Sequence, residues 1–174
     1  MNRINNQLLQ GICAEHERKG FHVDSRLIKE LNHGDIFSLV LDDADSFFSL
    51  IWQEIDASRL LTPQRQARTL KDVASRFVGG KYSFEDLAKC QELPTQQHQS
   101  AWFEKCLPIS KNFSYDKFGF ITVVPANDSE QRQSPTGTFY IFDGAHKTLV
   151  LSVLLITNQI RYKPIQAVLL IPRR

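Results

Sequence analysis

The chain has little cysteine and no pattern in it. Cys13, Cys90 and Cys106 are odd in number, unevenly spaced and without a C-x-x-C pair. That excludes a disulfide framework and a zinc site of ordinary spacing, and it suits a reducing compartment. No apolar stretch approaches the roughly 18–20 residues that a membrane helix requires; the longest candidate, Leu149 to Ile156, is far too short. The opening residues, Met-Asn-Arg-Ile-Asn-Asn-Gln, lack the basic start and apolar core of a secretory signal. No internal repeat is visible, and glycine and proline, 8 and 7 of 174 residues, are too few for a collagen-like or low-complexity chain. These absences lead to the expectation of a cytoplasmic protein with no membrane span.

What is present is an ordinary globular composition. Hydrophobic residues make up 42%, aromatic residues 10% and charged residues 23%, enough to bury roughly two thirds of the unfolded chain's surface in one core. The net charge of +2 conceals an asymmetry. Residues 131–174 carry six Lys or Arg against one acid, Asp143. Glu30 to Asp56 carries seven acids and no Lys or Arg, whereas Arg59 to Lys81 carries six bases and only Asp72. A basic C-terminal part can attract nucleotide phosphate or a nucleic-acid backbone, or it can be a solvated face.

Hydrophobic periodicity divides the chain further. Ile4, Leu8, Leu9 and Ile12 recur at helical spacing up to Gly20, and Asp24 or Ser25 can cap a second helix over Arg26–Asn32. Asp35 to Trp52, dense in Phe and Leu, fits either helix or strand and is read as a helix packed onto the rest as a lid or brace. Glu54–Leu61 reads as a short edge strand, and Arg65–Val78 as a helix with Leu70, Val73, Ala74 and Phe77 on one face. Residues 81–117 are polar and read as a long exposed connection. Phe118–Val124 and Thr138–Phe142 read as strands, Thr148–Thr157 as a helix, and Tyr162–Leu170 as a further strand.

The chemically informative stretch is Phe139-Tyr-Ile-Phe-Asp-Gly-Ala-His-Lys-Thr. A strand enters an Asp143-Gly144 turn and a helix follows, and backbone N–H groups at a helix start form an anion site. Gly144 lets a ligand approach the backbone. His146 and Lys147 add donors for phosphate oxygens. Asp143 can orient His146, help hold Mg²⁺ or act as a base. The structural alternatives are a plain Asp-Gly turn with Asp143 as helix cap, a structural histidine and a surface lysine.

Tyr-Ile-Phe-Asp-Gly-Ala-His-Lys, followed by an apolar helix and then Tyr162-Lys-Pro-Ile-Gln-Ala-Val168, resembles the ParB/sulfiredoxin superfamily. Glu54–Leu61, Thr69–Phe77 and Phe120–Val124 fall in that family's order of first strand, first long helix and next strand, so the resemblance covers about residues 52–174. It implies an α/β (α+β) fold, a small mixed sheet with flanking helices, in which 52–174 form a nucleotide-binding domain and 1–51 a helical N-terminal extension. Gly144, Ala145, His146 and Lys147 become nucleotide-binding candidates, with Arg65 and Arg68 on the first helix beside them. Asp143 and His146 become catalytic candidates, Asp143 the metal candidate, and ATP with Mg²⁺ the cofactors. Lys147 stands where the family usually has Arg, keeping charge and losing the planar fork. Ala145 stands where sulfiredoxins place their reactive Cys, which argues against that activity. The helix-turn-helix reading domain of partition proteins does not follow the motif in this sequence.

Three functions are consistent with this resemblance. The first is an ATP-binding and ATP-hydrolysing phosphoesterase that also cleaves DNA, of the plasmid fertility-inhibition (oncogenic-suppression) type, with DNA or a DNA-transfer complex as partner. The second is an ATP-dependent kinase of a free amino acid, with Glu54, Asp56 or Asp143 as the base. The third is a non-catalytic interaction protein on the same fold, docking through its acidic Glu30–Asp56 segment.

Overall fold

In the computed structural model, residues 2–18, 20, 34–52, 61, 68–89, 94–127 and 139–172 are described. They form a mixed α/β fold built on one seven-stranded sheet in the order β1-β2-β7-β5-β6-β3-β4. The strands are β1 (Asn2–Arg3), β2 (Gly34–Leu41), β3 (Ile51–Trp52), β4 (Arg68–Thr69), β5 (Phe120–Pro125), β6 (Phe139–Asp143) and β7 (Ile165–Pro172). Pairing is parallel for β5–β7 and β3–β6 and antiparallel for the rest.

Helix α1 (Asn6–Arg18) lies on one face of the sheet, where Ile4 and Leu9 pack with Ile36, Phe120, Val168 and Leu170. The opposite face carries the larger core, under α3 (Leu70–Gly79) and α8 (Ala145–Ile156). Helix α3 starts at a capping box: the Thr69 hydroxyl accepts from the Asp72 amide while Asp72 accepts from the Thr69 amide. Its Leu70, Val73, Ala74 and Phe77 stripe is buried as the spacing requires. Helix α8 is buried on nearly every side, with Leu149, Val150 and Leu151 inaccessible to solvent, which is why its apolar residues show no single stripe.

Several sequence expectations are corrected. Residues 35–41 form β2, not helix: Phe37, Leu39 and Leu41 turn to the large core while Ile36 turns to the other face, the period-2 alternation of a strand. Only α2 (Ala44–Phe48), capped by Asp43, remains helical before β3. Because β2 pairs with β7 along its whole length, the sheet runs through the boundary expected at residue 51, and 1–51 is not a separate helical extension.

The connection expected over 81–117 is instead four helices: α4 (Phe84–Lys89), α5 (Pro94–Glu104), α6 (Cys106–Lys111) and α7 (Tyr115–Phe118). Trp102, Phe103 and Cys106 from this segment lie deep in the core. Arg68–Thr69, expected within a helix, is strand β4, and the helix begins one residue later. The expected helix 26–32 lies outside the described residues, as does the expected strand 54–61 except for buried Leu61. Among the described residues no helix is long and apolar enough to cross a membrane.

Candidate functional site

Strand β6 ends at Asp143, and Gly144 turns the chain into α8 with φ 102° and ψ 18°, the left-handed region that side-chain-bearing residues disfavour. A Cβ at Gly144 would lie 2.9 Å from Ile121 Cγ2 and 3.0 Å from Lys147 Cε. Backbone conformation and internal packing therefore both demand the glycine. Gly144, not Asp143, is the cap residue, and it has no side chain of its own to serve the amides of the first turn. That turn is the positive end of the helix dipole. Asp143 is half-buried opposite Thr122 of β5, where the ladder shifts register between Thr122 and Val123. Such irregularities re-aim side chains at strand ends.

The first turn of α8 is wrapped by aromatic rings. The indole N–H of Trp52 donates to the Ala145 carbonyl oxygen at 3.2 Å, and Trp102 meets Trp52 edge to face at 5.7 Å between centroids. The His146 imidazole stacks on Trp102 with centroids 4.2 Å apart and planes 22° apart. Burial, and next the positive charge of Lys105, push the His146 imidazole down to about 4. His146 is therefore neutral near pH 7 and brings no positive charge to a phosphate. Its buried Nε2 has no hydrogen-bond partner among the described residues.

Lys147 departs from expectation. It is 5% exposed, and its Nζ donates to the Phe118 carbonyl oxygen at 3.0 Å and to the Phe120 carbonyl oxygen. The ammonium also lies 5.2 Å from the Phe118 ring centroid and 5.9 Å from that of Phe120. It ties α8 to the corner between α7 and β5, where Gly119 adopts φ 69°. The alternative of a plain surface lysine is corrected accordingly: desolvating an ammonium is costly, and these two oxygens help make its burial tolerable.

Arg68 on β4 stands directly opposite Trp52 in the ladder, so it shares a sheet face with the residue that touches Ala145. It is half-buried. Ala145 is itself buried, and its carbonyl also accepts from the Thr148 hydroxyl at 3.0 Å. Arg65 lies outside the described residues.

No family model, curated protein or solved structure matches the chain.

Among the described residues no group of three or more His, Cys, Asp and Glu could hold a metal ion. Mg²⁺ that arrives with a nucleotide needs only one or two carboxylates besides the phosphates. Asp143 is one carboxylate at this helix start, and the described residues hold no group of ligands for an all-protein metal centre. The site thus joins a carboxylate, a neutral imidazole and a helix start entered through Gly144, with Arg68 on the sheet face shared with Trp52. Sequence reasoning missed Trp52, Trp102 and Lys105. The signal was available: Trp102, Phe103 and Cys106 have the i, i+1, i+4 spacing of a buried helical face inside a segment that otherwise looks polar.

Proposed function

We propose that the chain binds the phosphates of a nucleotide at the start of α8 and cleaves phosphate esters there. The observation that carries this reading is the conjunction at one end of the sheet: Asp143 at the end of β6, the first turn of a long helix entered through a left-handed glycine, and Arg68 on the same face as Trp52. Helix-start amides and a guanidinium take up negative charge, and a carboxylate beside them can position or deprotonate the attacking group. Neutral His146 serves as a hydrogen-bonding group. In line with the ParB/sulfiredoxin resemblance, ATP with Mg²⁺ is the nucleotide and DNA a second polyanionic substrate, as in a plasmid-borne inhibitor of conjugative DNA transfer. When bound, Mg²⁺ would neutralise phosphate charge.

A specific observation favours a second reading, a non-catalytic interaction protein: the lysine of the motif is committed to the Phe118 and Phe120 carbonyls. ATP binding and hydrolysis, measured on wild type, Arg68→Ala and Asp143→Asn with and without plasmid DNA, separate the two. Under the enzymatic reading Asp143→Asn lowers turnover by about a hundredfold or more while retaining binding, and Arg68→Ala weakens binding. Turnover stimulated by a free amino acid and indifferent to DNA would instead indicate a kinase. Folded protein that binds no ATP sinks the enzymatic reading and leaves the interaction protein.

A further inference from the structure

A cavity of about 330 Å³ lies at the C-terminal ends of α3 and α8, the other end of α8 from the Gly144 turn. That is a size at which small-molecule sites occur. Its walls are apolar: Phe77 and Val78 from α3, Phe84 from α4, and Val153 and Leu154 from α8. The Phe77 ring centroid lies 4.5 Å from that of Phe84 and 6.1 Å from that of Tyr82, a further lining residue. Gly80 allows the last of these contacts, because a Cβ there would collide with the Tyr82 ring.

The polar edge of this space is selective. A hydroxyl has one proton to donate, and two that line the cavity have already committed theirs. Ser110 donates to the Leu107 carbonyl oxygen at 3.0 Å, and Thr157 to the Val153 carbonyl oxygen at 2.8 Å. Both oxygens keep only lone pairs for a ligand. The chain also closes two helices here, the Tyr82 amide donating to the Phe77 carbonyl oxygen and the Gln159 amide to that of Leu154. The negative ends of two helix dipoles therefore meet at the cavity. Its side-chain donors, Lys81, Tyr82 and Gln159, belong to residues exposed to water.

Charge of either sign is poorly served there. A cation would lose water without a counter-charge, since no Asp or Glu is among the described residues that line the cavity and Lys81 has the same sign. An anion would meet two helix C-termini and hydroxyls that only accept, with the exposed Lys81 screened by solvent. A neutral molecule with a donor satisfies the acceptors, and the aromatic and aliphatic walls reward an apolar body.

We propose that this cavity binds an uncharged aromatic molecule that carries a hydrogen-bond donor, of the indole or phenol kind. Its ring lies against Phe77, Phe84 and Leu154, and its N–H or O–H donates to Ser110 Oγ or Thr157 Oγ1. The site is separate from the nucleotide reading and does not depend on it.

Calorimetric titration of the full chain with indole, indene, 2-aminoindane and indole-2-carboxylate tests this. Indole is expected to bind with one-to-one stoichiometry and more tightly than indene, which has the same shape and no N–H; the cation and the anion should be weaker still. Ser110→Ala/Thr157→Val removes both acceptors and should weaken indole by about tenfold while leaving indene unchanged. Gln159→Trp, at an exposed lining position, places a bulky side chain in the mouth and should abolish binding, with circular dichroism reporting the fold. Should Gln159→Trp unfold, the hydroxyl variant and the comparison of indole with indene still decide. Absence of indole binding, indene or either charged analogue binding as tightly as indole, or indole affinity unchanged in the folded variants would overturn the proposal.

Discussion

Lys147 donates from Nζ to the Phe118 carbonyl oxygen at 3.0 Å, so the lysine of the Asp-Gly-Ala-His-Lys turn braces the fold from within. Replacing it with methionine keeps the length of the chain and removes the donor. Two carbonyl oxygens then lose a partner, at about 1–3 kcal/mol for each one left unsatisfied. We expect Lys147→Met to lower stability by more than 2 kcal/mol in urea unfolding. Lys147→Arg, which restores the commoner residue of the resembling family, should not raise affinity for ATP, because the position faces the α7–β5 corner.

His146 gives a pH dependence of definite sign. Its folded value, near 4, is below the ordinary 6.5, so the unfolded chain takes up the proton first as pH falls. The stability involved is fully present above about pH 6.5 and is lost as pH falls towards and through about 4. His146→Phe keeps a ring against Trp102 and removes the titration. Between pH 7 and pH 4 wild type should lose on the order of 2 kcal/mol more than His146→Phe. Urea midpoints at the two pH values measure this, and parallel curves would show that the imidazole titrates normally.

Gly144→Ala should destabilise the fold by about 1–3 kcal/mol, from the left-handed backbone and the 2.9 Å approach to Ile121 Cγ2 together. Thermal unfolding of Gly144→Ala beside Gly144→Ala/Ile121→Val, which trims the obstructing side chain, separates the two causes. Partial recovery in the double variant is the expected result.

Thr69→Ala removes one half of the capping box at α3 and exposes the loss in isolation from the proposed site. A cost of about 1 kcal/mol is expected. Chemical unfolding checks it, and Thr69→Ser, which keeps the hydroxyl acceptor, should recover most of the loss.

The α/β class, strands β5, β6 and β7, helices α1, α3 and α8, and the strand–Gly–helix turn were legible in the sequence because each rests on local signals. Phe120–Val124 lies in a β-branched run ended by Pro125, Thr69 and Asp72 mark a helix start, and Gly144 can adopt a backbone that other residues resist. Residues 35–41 were misread because β2 carries apolar residues on both faces, Ile36 against one core, Phe37, Leu39 and Leu41 against the other and Val40 exposed, which obscures the period of two. The helices of 81–117 were hidden by a polar exterior; Trp102 and Phe103 are buried by partners distant in sequence, Trp52 and the start of α8. The direction of Lys147 was illegible for a related reason. Nothing in a short motif says that two backbone carbonyls from another element will meet its ammonium.

The eight-residue ladder between β2 and β7, from Gly34 opposite Pro172 to Leu41 opposite Ile165, has a consequence for the order of assembly. Strand β7 is flanked by β2 on one side and β5 on the other, so these two strands of the sheet are joined only through the last strand of the seven. On a ribosome, β2 emerges long before its inner partner exists, with Phe37 and Leu39 exposed in the meantime. Contacts of such sequence separation fold slowly because loop closure precedes any reward. The nascent chain must therefore hold an apolar strand with one edge open until β7 is synthesised, an interval in which chaperone binding or early self-association competes with folding.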